Sequence, residues 1–426
     1  MSSTLVLLVL FTVMITINVP VSIALGASAA VVGYMIQGDL GFLGAILLSG
    51  LQKTELLAIP FFILAGHVFD RSGIVLRMFR VMDALVGRVR GSTGIVTSGV
   101  AVLIGGLSGS GPADTAALGA TLGPVLVRRG YSKPFAAALI SAGGSLGLIV
   151  PPSIAFILYG IVVPGISIGK MFIAGVLPGL MMGILIALTS YWMAVRRGID
   201  SDGQPFSPRV ALAALSASAW GLGAPLVIVG GIYLGVFTPT EAAGVAVVYG
   251  IFVGVVLHRD LRLRDLLPLL RVTATDTSVV MLIIACASVF SWVITVDGAV
   301  VRWVVDFASA IDNPWQVFLF AAVVLLIAGL FIDGASIYFV IVPLLMPAVY
   351  AQGIDLIWFG VFVALAVAIG QFTPPVGVNL FVAARVLDVE FDRILPDIVP
   401  FVVTSILGLL LIYLFPGIST WLPSTM

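Results

Sequence analysis

The chain has 426 residues, 61% of them hydrophobic and only 9% charged, where an ordinary soluble domain carries about 25% charged residues; a soluble globular protein is excluded. Lys plus Arg and Asp plus Glu each number 20 and cancel to a formal charge of zero, so there is no basic face for nucleic acid. A single cysteine, Cys286, and two histidines, His67 and His258, rule out an internal disulfide and the usual zinc ligand sets.

Apolar stretches long enough to cross a hydrocarbon core of about 30 Å recur along the whole chain. They are continuous blocks without the dyad alternation of a membrane barrel, so the fold class is an all-α integral membrane protein. Leu5 to Ile36 comes first, as one broken helix or two; without a basic leader it reads as a retained segment, not a signal peptide. Gly73 to Arg88 sets Val75, Leu76, Phe79, Met82 and Val86 at helical spacing against arginines, the pattern of an interfacial arm helix. Next is a turn-rich kernel, Gly105 to Pro112, between limbs Gly94 to Leu107 and Pro112 to Val127. At about 14 to 16 residues, roughly 21 to 24 Å, neither limb spans comfortably, and a re-entrant helical hairpin is expected. Pro134 to Val163 is then a helix interrupted at Gly147 to Ser153 by the Pro151-Pro152 pair. Crossings follow at Phe172 to Val195, Ala213 to Val236, Ala242 to Leu257, which is short, and Asp276 to Val296. Glu241 reads as a structural cap at a helix start, and Asp276 with Thr277 likewise. A second arm is expected over Gly298 to Ile311, with Val300, Val301, Val304 and Phe307 on its apolar side. Trp315 to Val349 forms a second hairpin around the kernel Gly329 to Ser336, and Gly370 to Gly377, with Pro374-Pro375, a second interruption.

The last two elements repeat the earlier ones at a shift of 223 residues. Gly106 falls on Gly329, Gly111 on Gly334, Pro124 on Pro347, Gly130 on Gly353, Gly147 on Gly370, and the only two Pro-Pro pairs coincide. Among 47 glycines one coincidence means little; a run at one shift means duplication. Arg71, Arg77, Arg80, Arg88 and Arg90 precede the first hairpin and Arg128, Arg129 and Lys133 follow it, which puts its base in the cytoplasm. The second hairpin is flanked mainly by acids, and five crossings separate the two, so the second copy is inverted. This layout leaves only Lys53, Lys170 and Arg302 of the basic residues outside.

Breaking a helix inside a membrane leaves backbone groups unpaired at several kcal/mol each unless protein, water or an ion satisfies them. Inverted repeats whose broken helices meet at the midplane are how many secondary transporters bind a cation beside an anion. An ion-coupled solute carrier is therefore expected, with oxygens from Ser108, Ser110 and Ser153 in the first half and Asp333, Ser336, Thr373 and Asn379 in the second.

Four segments, Ser108 to Pro112, Gly147 to Ser153, Pro239 to Ala243 and Gln371 to Asn379, together resemble the large membrane subunit of tripartite ATP-independent periplasmic (TRAP) transporters over nearly the whole chain. The resemblance implies an elevator-type sodium symporter of the bacterial or archaeal inner membrane that imports an organic acid, such as a dicarboxylate or a sialic or other sugar acid. It implies two partners, a separate small four-helix membrane subunit and a periplasmic substrate-binding protein, and no organic cofactor. Carried over by position, it sets one sodium (Na+) site at Ser108, Gly109 and Ser110 with Gly147 and Pro151. A second would lie at Gly329, Asp333, Gly334 and Ser336 with Thr373, Pro374 and Gly377. Substrate would sit near Ser153, Asn379 and Thr373. Asp114 departs from the small polar residue, such as threonine, expected there, and would bring proton coupling or an added charge to the first site.

On this reading a transport unit comprises residues 92–165 and 315–386, and residues 1–91, 166–314 and 387–426 form the scaffold with both arms. Two alternatives stand beside it: a stand-alone sodium- or proton-coupled carrier of the divalent-anion symporter type, and an intramembrane serine protease. The latter would take Ser108 in Gly106-Leu-Ser-Gly109 as nucleophile and His67 as base.

Overall fold

The computed structural model describes residues 3–86, 89–199, 207–298, 302, 313–332 and 334–426. Among them regular structure is helical throughout. The N-terminal stretch is two helices, α1 (Ser3–Thr16) and α2 (Val21–Gln37), parted where Asn18 takes a positive φ of 66° ahead of Pro20. Then come α3 (Phe42–Leu51) and α4 (Ala58–Arg71), the arm α5 (Ile74–Val86), the hairpin limbs α6 (Ser92–Ser108) and α7 (Gly111–Arg128), and α8 (Lys133–Gly144) and α9 (Ile154–Val162) on either side of the first interruption. The middle of the chain is α10 (Ile168–Arg196), α11 (Pro208–Tyr233), α12 (Pro239–Phe252) and α13 (Leu266–Asp297). The second hairpin is α14 (Pro314–Phe331) and α15 (Gly334–Ala351); α16 (Leu356–Gly370) and α17 (Val378–Leu387) flank the second interruption, and α18 (Phe391–Leu414), short α19 (Gly417–Thr420) and a 3-10 turn (Pro423–Thr425) follow. Most of the second arm expected over Gly298 to Ile311 lies outside the described residues.

Three boundaries differ from the sequence expectation. The hairpin limbs are 17 and 18 residues in the first copy and 18 each in the second, because Gly105 and Gly106 stay helical and only Gly109, in the left-handed region at φ +65°, and Ser110 make the turn. Those glycines serve close approach and do not end the helix. The short crossing begins at Pro239 and is carried to Leu257 by a π-turn, 19 residues in all. Its start is the expected cap: Glu241 accepts from the Thr238 amide at 2.9 Å while Thr238 Oγ1 accepts from the Glu241 amide at 3.3 Å. Helix α13 begins ten residues before Asp276, so neither Asp276 nor Thr277 caps anything; both sit in a helix interior. Among the described residues, six helices are long and apolar enough to cross a membrane, and up to eight spans result if two bent pairs each count once.

Matched elements recur at the shift of 223: α7 and α15 begin at Gly111 and Gly334, α8 and α16 at Lys133 and Leu356, α10 and α18 at Ile168 and Phe391. Their packing is reciprocal. Limb α7 lies on α17 and limb α15 on α9, while α10 lies on α16 and α18 on α8. Elements of each copy thus pack on elements of the other.

Inside a bilayer the lipid is as apolar as the side chains, so helices associate through close packing of small residues. Gly175, Gly179 and Gly183 form such a stripe on α10. A Cβ on Gly175 would come within 2.4 Å of the Ile149 carbonyl oxygen, one on Gly179 within 2.7 Å of Val150, and one on Gly183 within 2.2 Å of Val102. This stripe seats the first interruption and limb α6 against α10. The arm α5 buries Val75, Met78, Phe79 and Val81 against α6 and α11. It is tied down by Arg77 to Asp260 at 2.6 Å and by a two-pronged bridge from Arg129 to Asp83 at 2.6 and 2.8 Å.

Candidate ion and anion site

The first hairpin tip meets the first interruption, as the sequence reading requires. Gly105 approaches so closely that a Cβ there would lie 2.9 Å from the Gly147 nitrogen; one on Gly106 would lie 2.6 Å from the Pro151 carbonyl oxygen, and one on Gly109 3.2 Å from that of Pro152. A run of small residues therefore brings the tip against freed carbonyls. Ser108 donates its hydroxyl to Asp114 Oδ1 and accepts from the Ser110 amide at 3.2 Å. Asp114, one turn into α7, is 1% exposed, and its Oδ2 has no hydrogen-bond partner. A Cβ on Gly147 would stand 2.1 Å from that oxygen. Only glycine leaves room for the carboxylate.

The second tip meets the second interruption through a different glycine pair. A Cβ on Gly329 would lie 2.9 Å from Gly370 Cα, and the Gly377 amide donates to the Leu330 carbonyl at 3.4 Å. Thr373 donates to the Ile369 carbonyl at 2.6 Å. Ser336 is fully buried. Asp333 lies outside the described residues. Both Pro151-Pro152 and Pro374-Pro375 are cis.

The two halves join at Gln371 and Asn379. A Cβ on Gly111, the first residue of α7, would lie 2.4 Å from Gln371 Oε1 and 3.2 Å from Asn379 Nδ2, and one on Gly334, the first residue of α15, would lie 3.0 Å from Gln371 Nε2. The Gln371 carboxamide thus stands between the N-termini of the two second limbs. Gln371 is 3% exposed and Asn379 0%, and Gln371 Oε1 and Asn379 Oδ1 have no hydrogen-bond partner. Asn379 is held by reciprocal bonds with Ser141, Oγ to its carbonyl at 3.3 Å and its Nδ2 to the Ser141 carbonyl at 3.4 Å. Ser153, in contrast, donates to the Leu148 carbonyl at 2.8 Å and is wholly buried in its own loop.

Sequence reasoning did not assign Gln371 a site role, although a lone amide in an apolar run marks function in a membrane segment. Asp114, which departs from the residue expected there and would bring proton coupling or an added charge, is the carboxylate at the first tip. The protease pairing does not form: Ser108 is bonded to Asp114, and His67 Nε2 is 2.9 Å from Asp276 Oδ2 on α13.

A family model described as tripartite ATP-independent periplasmic transporter, DctM component, matches residues 8–418. The chain belongs to this family. It is 33% identical to the C4-dicarboxylate TRAP transporter large permease protein DctM of Rhodobacter capsulatus, across 100% of this chain and 99% of that protein. It is 32% identical to the isethionate TRAP transporter permease protein DctMQ of Oleidesulfovibrio alaskensis over 96% of this chain, and spans 64% of that longer protein. These relatives are transporter permeases, not enzymes. The fold is also that of the Alcanivorax borkumensis YdaH transporter, with a TM-score of 0.63 at 14% identity over 98% of both chains. The chain is accordingly a large TRAP permease subunit, multi-pass in the inner membrane.

Proposed function

We propose that this subunit imports an organic acid anion by sodium-coupled symport, together with a small four-helix membrane subunit and a periplasmic substrate-binding protein. The observation that carries the reading is the convergence of the α7 and α15 N-termini on Gln371, with Asn379 against the α7 end, and a buried carboxylate with an unmatched oxygen on α7. Helix N-termini favour negative charge, and an unmatched buried carboxylate oxygen favours a cation. The first sodium would take Asp114 Oδ2 with the Ser108 to Ser110 tip and carbonyls of the Gly147 to Pro151 interruption. The second would lie among Gly329, Asp333, Gly334, Ser336, Thr373, Pro374 and Gly377. The anion would sit between them, against Asn379, Gln371 and Thr373, while Ser153 holds the first interruption in shape.

A small organic anion as substrate is supported by the relatives named above, which are called C4-dicarboxylate and isethionate transporters. With sodium bound, the tips are ordered and the pocket becomes positive; residues 92–165 and 315–386 then move as a unit past the scaffold, the two copies having opposite orientation in the membrane. The test is uptake into liposomes containing this chain and its small subunit. Transport is expected to require both an inward sodium gradient and the cognate binding protein. Proton-driven uptake by this chain alone would overturn the assignment in favour of a stand-alone carrier.

A further inference from the structure

A cavity of about 580 Å³ extends from the first hairpin tip to α4 and α13. On the scaffold side His67 and Asp70 come from α4 and Asp276 from α13; on the hairpin side are Ser108, Ser110 and Asp114. Three carboxylates and one imidazole face one space, and none of its described lining residues is Lys or Arg. The α4, α7 and α10 C-terminal ends, by contrast, carry Arg71, Arg128, Arg129, Arg196 and Arg197. The cavity follows α7 from Ser110 to Thr121, a little over half the length of that limb. One of the three carboxylates, Asp114, is 1% exposed and its Oδ2 has no hydrogen-bond partner. Narrow clefts lined by one sign of charge concentrate the opposite ion and repel the like one. An organic anion would be repelled here.

We propose that this cavity is a cation vestibule, in which Asp70 and Asp276 of the scaffold hold the coupling cation transiently between the Asp114 site and bulk water. The pairing of Asp276 with His67 at 2.9 Å fixes that carboxylate toward the cavity wall. The inference rests on the sodium reading above but adds residues that bind no ion in the transported state. Because the holding groups are on the scaffold, the cation leaves them behind when the hairpin moves.

The experiment uses the complex of this chain with its small subunit in liposomes, carrying Cys286→Ser and Ala120→Cys. Ala120 is exposed on the cavity wall. A methanethiosulfonate with a trimethylammonium head is compared with one bearing a sulfonate head, each normalised to its rate with a free thiol. The cationic reagent is expected to react at least about tenfold faster, with the preference falling to about twofold in Asp70→Asn/Asp276→Asn. In that double variant, exchange of radiolabelled sodium should slow while equilibrium sodium affinity is kept. Equal reagent rates, a faster anionic reagent, or loss of sodium affinity in step with exchange would overturn the vestibule. The reagent preference needs no transport, so a complex that lacks sodium-driven uptake refutes the symport reading separately.

Discussion

At the first hairpin tip the polar side chains are Ser108, Ser110 and Asp114; a shift of 223 residues puts Phe331, Asp333 and Ile337 in their places. At the interruptions the bias is reversed. Leu148, Val150 and Phe156 of the first copy correspond to Gln371, Thr373 and Asn379 of the second. The starts of α7 and α15, α8 and α16, and α10 and α18 are kept in both copies, while the glycine contacts and much of the side-chain chemistry differ between them. Because packing is reciprocal, the two polar parts meet at Gly111. Duplication supplies a frame with two cradles; divergence places one carboxylate and two amides where they share a centre.

That division can be broken one side at a time. The largest effect is expected from Asp114→Asn, which removes the charge at the first tip: sodium affinity, read by sodium titration of uptake, should fall on the order of 10- to 100-fold, the equivalent of about 1.5–3 kcal/mol for a lost charged contact. Undiminished sodium dependence would place the ion elsewhere. Gly147→Ala and Gly370→Ala compare the two cradles directly. In the first the new Cβ meets a carboxylate oxygen at 2.1 Å and sodium coupling should drop about tenfold, whereas in the second it meets Gly329 Cα at 2.7 Å. The second should cost about 1–3 kcal/mol of stability as overpacking, seen as a lower melting temperature with sodium affinity kept. If both substitutions behave alike, the copies are not divided as argued.

Gln371→Leu keeps the volume and deletes the amide between the two N-termini. A loss of about 3- to 10-fold in substrate affinity, with sodium affinity unchanged, is expected for about 0.5–1.5 kcal/mol of hydrogen bonding; binding-protein-driven uptake at varied substrate concentration measures it. The smallest effect should come from Glu241→Gln, which weakens the α12 cap far from either tip. Thermal unfolding should detect a small fall in melting temperature, and transport by the folded protein should be unchanged.

Much of this was legible in the chain itself. Runs of apolar residues, paired prolines and glycines at one repeated shift act locally, through hydrocarbon solubility and backbone freedom, so they announced a duplicated helical membrane protein with two hairpins and two interruptions before any contact was known. The tip of the first hairpin facing Gly147 to Pro151 was implied by the family resemblance, and the glycine contacts bring the two together. Three things were not legible. Gly105 and Gly106 looked like helix breakers and are contact surfaces, since a glycine alone does not reveal what approaches it. Asp276 looked like a cap and is half of a pair with His67, on a helix distant in sequence. And no local pattern brings Gln371 and Asn379 onto the N-terminal glycine of a hairpin in the other copy: that meeting depends on which helices interlock, a choice made by the packing of small residues across the whole molecule.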